Sequence, residues 1–444
     1  MIDTIVRGGM VVTADGTSRA DISIEDGRIV QVAPDISGRA REEVDAAGLL
    51  VLPGLVDVHL HFNEPGRTHW EGAETGSRAL AAGGGTTFCD MPLNSTPCTV
   101  NAREVERKRA ALEASSIADF GLWGGLTPES VAYMPEMASA GVIGFKAFMC
   151  DSGLPEFPRA DETTLVDGMK EAARLDLPVA VHAESEAITR GLSKAISGSS
   201  ARDFLASRPV VAETEAVERA LRIAKETGVR LHIVHMSCGA AVAIAAEARL
   251  NGVDVSIETC PHYLFFEEQD VERLGVVAKC APPLRREADR DELWAELLRG
   301  RIDIVASDHS PAEPAMKKAG DFRSSWGGIA GVQSTLAVLF DRGYRDRGLP
   351  LERIVSLTAG APAGRFRIFN KGQLAGGVDA DVVLVDPDKS FTLQAPDLLQ
   401  RHKMSPYVGA TFRGAVRRTI RRGETIYADG KIVAQTKGKF VCPT

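Results

Sequence analysis

LVDVHLH, residues 55–61, is an apolar run that ends in two histidines one residue apart, and the loop FNEPGR follows at once. Seven more apolar runs of strand length come after it: TTFCDMP (86–92), VIGFKAF (142–148), PVAVHA (178–183), VRLHIVHMS (229–237), VDVSIETC (253–260), VVAKC (276–280) and IDIVASD (302–308). Segments of helical pattern separate them, which is the signature of a parallel sheet covered by helices. Eight runs are the number that closes a (β/α)8 barrel of the TIM type, an α/β fold. One intervening segment, AREVERKRAALEA (102–114), carries Val105 and Leu112 among charges and reads as an outer helix with a solvated face.

Outside the barrel the period changes to two. Ile22-Ser23-Ile24 and Arg28-Ile29-Val30-Gln31-Val32 flank Asp26-Gly27, a strong hairpin signal. Near the other end DVVLV (381–385) is an apolar strand, and Thr425-Ile426-Tyr427 and Lys431-Ile432-Val433 flank Ala428-Asp429-Gly430. The similarity of the two ends predicts one small β-sandwich built from both termini. The expected division is residues 1–52 and 369–444 for the sandwich and 53–368 for the barrel.

Composition narrows the function. The 444 residues hold 52 basic and 60 acidic side chains, a net charge of -8, with no long basic blocks, so no nucleic-acid partner is expected. No signal-like start and no run of about 18 apolar residues is present, so neither export nor a membrane partner is expected. Seven widely spaced cysteines without a C-x-x-C pair fit reduced thiols and a cytoplasmic address.

In a parallel barrel the chemistry sits at the carboxyl ends of the strands. His59 and His61, two apart on an extended strand, face the same way and can reach one ion. His182 and His235 are each the last bulky position of a run, whereas His232, an odd separation from His235, turns to the opposite face and reads as structural. Asp308 closes its run as a carboxylate that coordinates metal, takes a proton, or does both. Lys146 places an ammonium among aromatics, at a cost of several kcal/mol unless it is neutralised. A desolvated lysine loses its proton and can then add carbon dioxide to form a carbamate, whose two oxygens suit a pair of cations; the alternative is a lysine paired to a carboxylate.

Together these residues resemble the amidohydrolase superfamily, in its cyclic-amidase branch of dihydroorotases, hydantoinases, dihydropyrimidinases and allantoinases. The likeness is greatest to allantoinases and runs through GLVDVHLHFNEPGRTHWEGAETGSRAL, DMPLNSTP, GFKAFM, VAVHAES, ETCPHY, AKCAPPLR, SDHSPAEPAMK, SWGGIAGVQS and RHKMSPYVG. The resemblance implies two divalent metal ions, with His59, His61 and Asp308 on one, His182 and His235 on the other, and carboxylated Lys146 bridging them. Zinc is the first choice; cobalt, manganese, nickel and iron suit the same ligands. It further implies a homotetramer that opens the ring amide of allantoin to allantoate in purine breakdown, with Asp308 as the proton-transferring catalytic group.

Departures from the relatives sharpen the choice. Asn63 stands where a dihydroorotase would carry an arginine, Met91-Pro92-Leu93-Asn94 replaces its shorter motif, and Asp151 occupies the place of the tyrosine of hydantoinases. The alternatives are a hydantoinase or dihydropyrimidinase acting on other cyclic ureides, and a non-catalytic scaffold of the same fold; six intact candidate ligands argue against the latter. Candidates for gripping the substrate are Asn63, Arg67, Asn94 and Ser310, with the backbone around Ala281 and Gly327-Gly328, where side chains are small or absent. His69, Glu71 and His262 read as supporting residues.

Overall fold

The computed structural model describes residues 2–443. Five strands come first: β1 (Thr4–Thr13), β2 (Gly16–Glu25), β3 (Arg28–Ala33), β4 (Glu42–Asp45) and β5 (Leu50–Pro53). The turn between β2 and β3 is the two residues Asp26-Gly27, both at positive φ (51° and 75°), as a tight hairpin of this twist requires. β1 pairs antiparallel with β2 and, on its other edge, parallel with β4 and then β5.

The barrel follows, and its membership differs from the reading of the sequence. Its strands are β6 (Leu55–Leu60), β7 (Gly85–Asp90), β8 (Asp119–Leu122), β9 (Gly124–Gly125), β10 (Phe145–Phe148), β11 (Val179–His182), β12 (Leu231–Ile233), β13 (Val255–Thr259) and β14 (Ile304–Val305). β8 and β9 are one stave interrupted at Trp123, so eight staves run parallel in sequence order. The ring closes where Leu60 bridges His309 and the His61 N–H donates to the His309 carbonyl at 2.8 Å. The run Val276–Cys280 is not a stave: Gly275–Ala278 forms a 3₁₀ turn between Gly275, at positive φ, and two prolines. The stave it displaced, β8, reads Asp-Phe-Gly-Leu, and a buried aspartate and a glycine hide a strand from any apolar count.

The charged helix Ala102–Ser115 lies outside the barrel and is capped by Asn101, which accepts from the Glu104 N–H. One of its charges departs from the expected solvated face. Lys108 is buried, donates to the Met91 carbonyl at 2.5 Å and pairs with Asp90 at 3.4 Å.

The chain then returns through β15 (Val382–Thr392), β16 (Thr411–Arg421), β17 (Glu424–Ala428) and β18 (Lys431–Ile432). β15 pairs antiparallel with β5, Val383 opposite Leu52, so both ends of the chain share one nine-stranded sheet. Val6, Ile22, Ile24 and Val51 pack with Val382, Leu384 and Ile420 into a core separate from the barrel's. This is the small β-sandwich expected from the two termini. No helix among the described residues is long and apolar enough to cross a membrane.

A buried ion cluster joins the two units. Lys371, which precedes β15, reaches Asp119 of β8 at 2.5 Å, Asp381 at 2.8 Å and Asp379 at 2.9 Å, and Arg422 reaches Asp119 at 2.7 Å. Burial alone would push the Asp119 carboxyl up, but the two cations hold it below its ordinary value. Removing one partner of such a cluster leaves buried charge uncompensated, which costs about 3–5 kcal/mol. Lys371→Met is therefore expected to lower unfolding free energy by about that amount, read from the urea midpoint at unchanged slope.

Candidate active site

The six candidate ligands meet at the carboxyl ends of the staves. His59 lies in β6 and His61 just beyond it; Lys146 is in β10, His182 ends β11, His235 follows β12 and Asp308 follows β14. The Asp308 Oδ1 is 3.4 Å from His59 Nε2 and 3.5 Å from His61 Nε2. Ring centroids are 5.8 Å apart for His59 and His61, 5.3 Å for His59 and His235, and 4.6 Å for His182 and His235. His235 and Asp308 both have positive φ (40° and 41°), a region uncommon outside glycine and concentrated at functional sites.

This cluster is rich in groups without a partner. Lys146 is fully buried, its Nζ forms no hydrogen bond, and it lies 5.1 Å from the Phe148 ring. The Nδ1 atoms of His61 and His235 are likewise buried and unpaired. Burial lowers the pKa of His61 and His182 below the ordinary histidine value, and lowers that of His235 further with help from neighbouring His182 and Lys146. Neutral imidazoles are the form that binds metal. Burial also brings the Lys146 amine down to about 8, against the pull of Glu258 and Asp308.

Two carboxylates that the sequence reading passed over hold the rings in place. Glu258, in β13, contacts His59 Nδ1 at 2.6 Å and His232 Nε2 at 3.0 Å and accepts the His235 backbone N–H at 3.1 Å. His232 thus supports the site from behind rather than entering it. Glu184 contacts His182 Nε2 at 2.8 Å and pairs with Arg208. With Nε2 so engaged, Nδ1 is the His182 nitrogen left for a cation. Carboxylates behind metal-binding histidines fix the ring orientation and raise its basicity. A signal for Glu258 was present: it is a carboxylate inside an apolar run, the same anomaly that marks Lys146.

Above the cluster is a cavity of about 410 Å³. His59, His61, His182, His235 and Asp308 line it, with Asn94, Ala281, Ser310, Gly327 and Gly328 from the expected substrate set and Asp151 at its rim. Gly328 is forced: a Cβ there would lie 2.3 Å from the Ser310 carbonyl oxygen. Asn63 and Arg67 are not among the lining residues. Asn63 donates to the Pro311 carbonyl, and Arg67 donates to the Asn94 carbonyl and pairs with Glu156. His69 and Glu71 tie the loop after β6 to residues 401–402, and His262 is buried beside Asp308 with its Nε2 unpaired. A larger hollow of about 530 Å³, walled by Phe340 and Phe412, contains no histidine or cysteine.

Residues 50–433 match the amidohydrolase family. The chain belongs to the amidohydrolase family. Among this amidohydrolase's relatives are the allantoinases of Solibacter usitatus, 59% identical over 100% of this chain and 97% of that one, and of Rubrobacter xylanophilus, 52% identical over 99% and 98%. Among solved structures it is similar to the L-hydantoinase (dihydropyrimidinase) from Arthrobacter aurescens, with a TM-score of 0.97 and 33% identity over the whole of both chains. A dihydropyrimidinase from Brevibacillus agri follows at 0.92 and 28%, covering 99% and 98%. The donor set here fits divalent metal: four imidazoles, the Asp308 carboxylate and an unpaired amine converge.

The lysine gives a pH test. In metal-free, carbon-dioxide-free protein the folded amine releases its proton near pH 8 while the unfolded chain holds it to 10.5. Stability therefore rises with pH across that window, by about 3 kcal/mol. Lys146→Met is expected to abolish that rise in denaturation midpoints measured from pH 7.5 to 10.5 and to be at least as stable as the parent at pH 7.5. A second expectation concerns Glu258: Glu258→Gln should weaken metal retention ~10–100-fold in chelator competition while the fold persists.

Proposed function

We propose that the chain hydrolyses the ring amide of allantoin to give allantoate. The observation that carries this reading is the buried, unpaired Lys146 amine among four imidazoles and Asp308, on a chain similar to allantoinases over its full length. In the proposed site His59, His61 and Asp308 would hold one divalent cation and His182 and His235 a second, with Lys146, carboxylated, as a ligand available to both. Zinc is our assignment, and cobalt, manganese, nickel or iron suits the same donors. Bound there, the cations supply Lewis acidity for the ring carbonyl and acidify water at neutral pH.

The chain's own groups do the rest. Burial opposes ionisation of Asp308, but the adjoining His59 and His61 hold its carboxyl near 2, so at neutral pH it is a free acceptor. It takes a proton from the attacking water and delivers it to the departing ring nitrogen. Ser310 and Asn94, whose side chains approach to 3.5 Å, present hydroxyl and amide to the ring, while the backbone at Ala281, Gly327 and Gly328 closes on its face. Asn63 and Arg67 act at one remove by holding the loops that carry Pro311 and Asn94. We read the protein as a cytoplasmic homotetramer, and the seven unpaired cysteines suit that compartment.

A hydantoinase reading draws on solved neighbours such as the Arthrobacter aurescens enzyme, but that one is 33% identical against 59% for an allantoinase. The test is metal analysis followed by parallel hydrolysis of allantoin, hydantoin, dihydrouracil and dihydroorotate with bicarbonate present. Allantoin should be turned over fastest; equal rates on dihydrouracil or hydantoin would favour the rival, and no turnover would favour a scaffold. Asp308→Asn should lose nearly all turnover while keeping most of its metal, and an unimpaired rate would remove Asp308 from proton transfer.

A further inference from the structure

The catalytic cavity does not end at the staves. It adjoins a second hollow of about 270 Å³, and the two share Phe204, Arg208, Lys279 and Arg323 in their walls. Three of these four residues are cations, and two of them are already engaged. Arg208 is paired with Glu184 beneath His182. Arg323 donates to the carbonyls of Ser193 and Ile196, both at 2.8 Å, which pins its loop to the far wall.

Lys279 is different. It is 8% exposed, lies 5.1 Å from the Phe204 ring, and donates one hydrogen bond, to the Ser325 carbonyl at 2.5 Å. It has no ion pair with any described residue. An ammonium carries three donors, so two N–H groups are left over at the junction of the hollows. The same wall contains Trp326, whose buried indole N–H also lacks a partner. Burial lowers Lys279 to about 8, which leaves it charged at neutral pH. Unused donors in a wall call for an acceptor, and beyond the Ser325 carbonyl none is hydrogen-bonded to Lys279.

We infer that Lys279 is a specificity residue that receives the carbonyl oxygen of an acyclic ureido arm on the substrate, with the second hollow housing the end of that arm. The inference rests on the allantoinase reading of the adjoining site. Allantoin has such an arm, whereas hydantoin has the ring alone. Asp308 and Lys279 line the same cavity, so with the ring amide held over Asp308 an arm directed at the shared wall would meet Lys279.

The experiment uses metal-loaded protein: KM and kcat for allantoin, and the inhibition constant of hydantoin as a competitor, in the parent, Lys279→Met and Lys279→Arg. The expected result for Lys279→Met is a KM for allantoin raised ~10-fold or more, the loss appropriate to a hydrogen bond from a charged donor, with kcat within about threefold. The hydantoin constant should stay put, and Lys279→Arg should recover most of the affinity. An unchanged KM overturns the inference. So does a parallel weakening of hydantoin, which would mean that Lys279 serves only to hold the Ser325 loop. If Lys279→Met does not fold, Lys279→Gln, which keeps a donor towards Ser325, is measured against the same criteria. A parent protein that leaves allantoin intact sinks the functional reading, and this inference with it; a parent that opens allantoin beside an unaffected Lys279→Met sinks the inference alone.

Discussion

A primary amine sealed inside a barrel with nothing to bond to is the constraint around which this molecule is organised. The neighbours of Lys146 do not relieve it. Burial keeps His182 and His235 from taking up charge beside it, and the nearby carboxylates Glu258 and Asp308 are drawn to histidines instead. Such a group costs stability, and anything bound that compensated for it would return that cost to the fold. The unpaired amine and the imidazoles gathered around it are what suit this cluster to divalent metal.

Rigidity comes from behind the rings. Glu258 spans two staves, β6 and β12, through His59 and the His235 backbone, and with His232 it forms a buried chain of contacts that leaves the rings little freedom to turn. Glu184 does the same for His182 and is itself locked by Arg208, which also borders the catalytic cavity. A shift in the cavity wall is thus felt at a candidate ligand through two contacts. The left-handed backbone at His235 and Asp308 falls at the two strand ends that deliver these candidate ligands, the kind of place where such conformations concentrate.

Much of this was legible in the residues, and the exceptions have physical causes. Five of the candidate ligands stood out because each is a polar group at or near the end of an apolar run, and Lys146 because it lies inside one. The alternation of strands and helices indicated the barrel, and the Asp-Gly turns indicated the sheet at the ends. The third stave stayed hidden because Asp119 looks like a loop residue until Lys371 and Arg422, some 250 and 300 positions away, neutralise it. Val276–Cys280 looked like a strand because apolar character does not distinguish a sheet from a short buried turn. Lys108 was assigned to solvent with its helix, although one turn of that helix faces Asp90. Lys279 lay in plain view in AKCAPPLR, but its free donors exist only because the 193–207 and 321–326 segments fold around it.

The shared sheet of the two termini has a consequence for how the chain is made. β5 is finished at residue 53, whereas its partner β15 begins at 382. At ribosomal speeds the gap is roughly 20 to 60 seconds of synthesis. Throughout that interval the nascent chain carries an open apolar strand edge, the kind of surface on which newly made proteins stick to one another. Shielding by a chaperone during translation would matter more for this protein than for a barrel whose first strand finds its neighbour immediately.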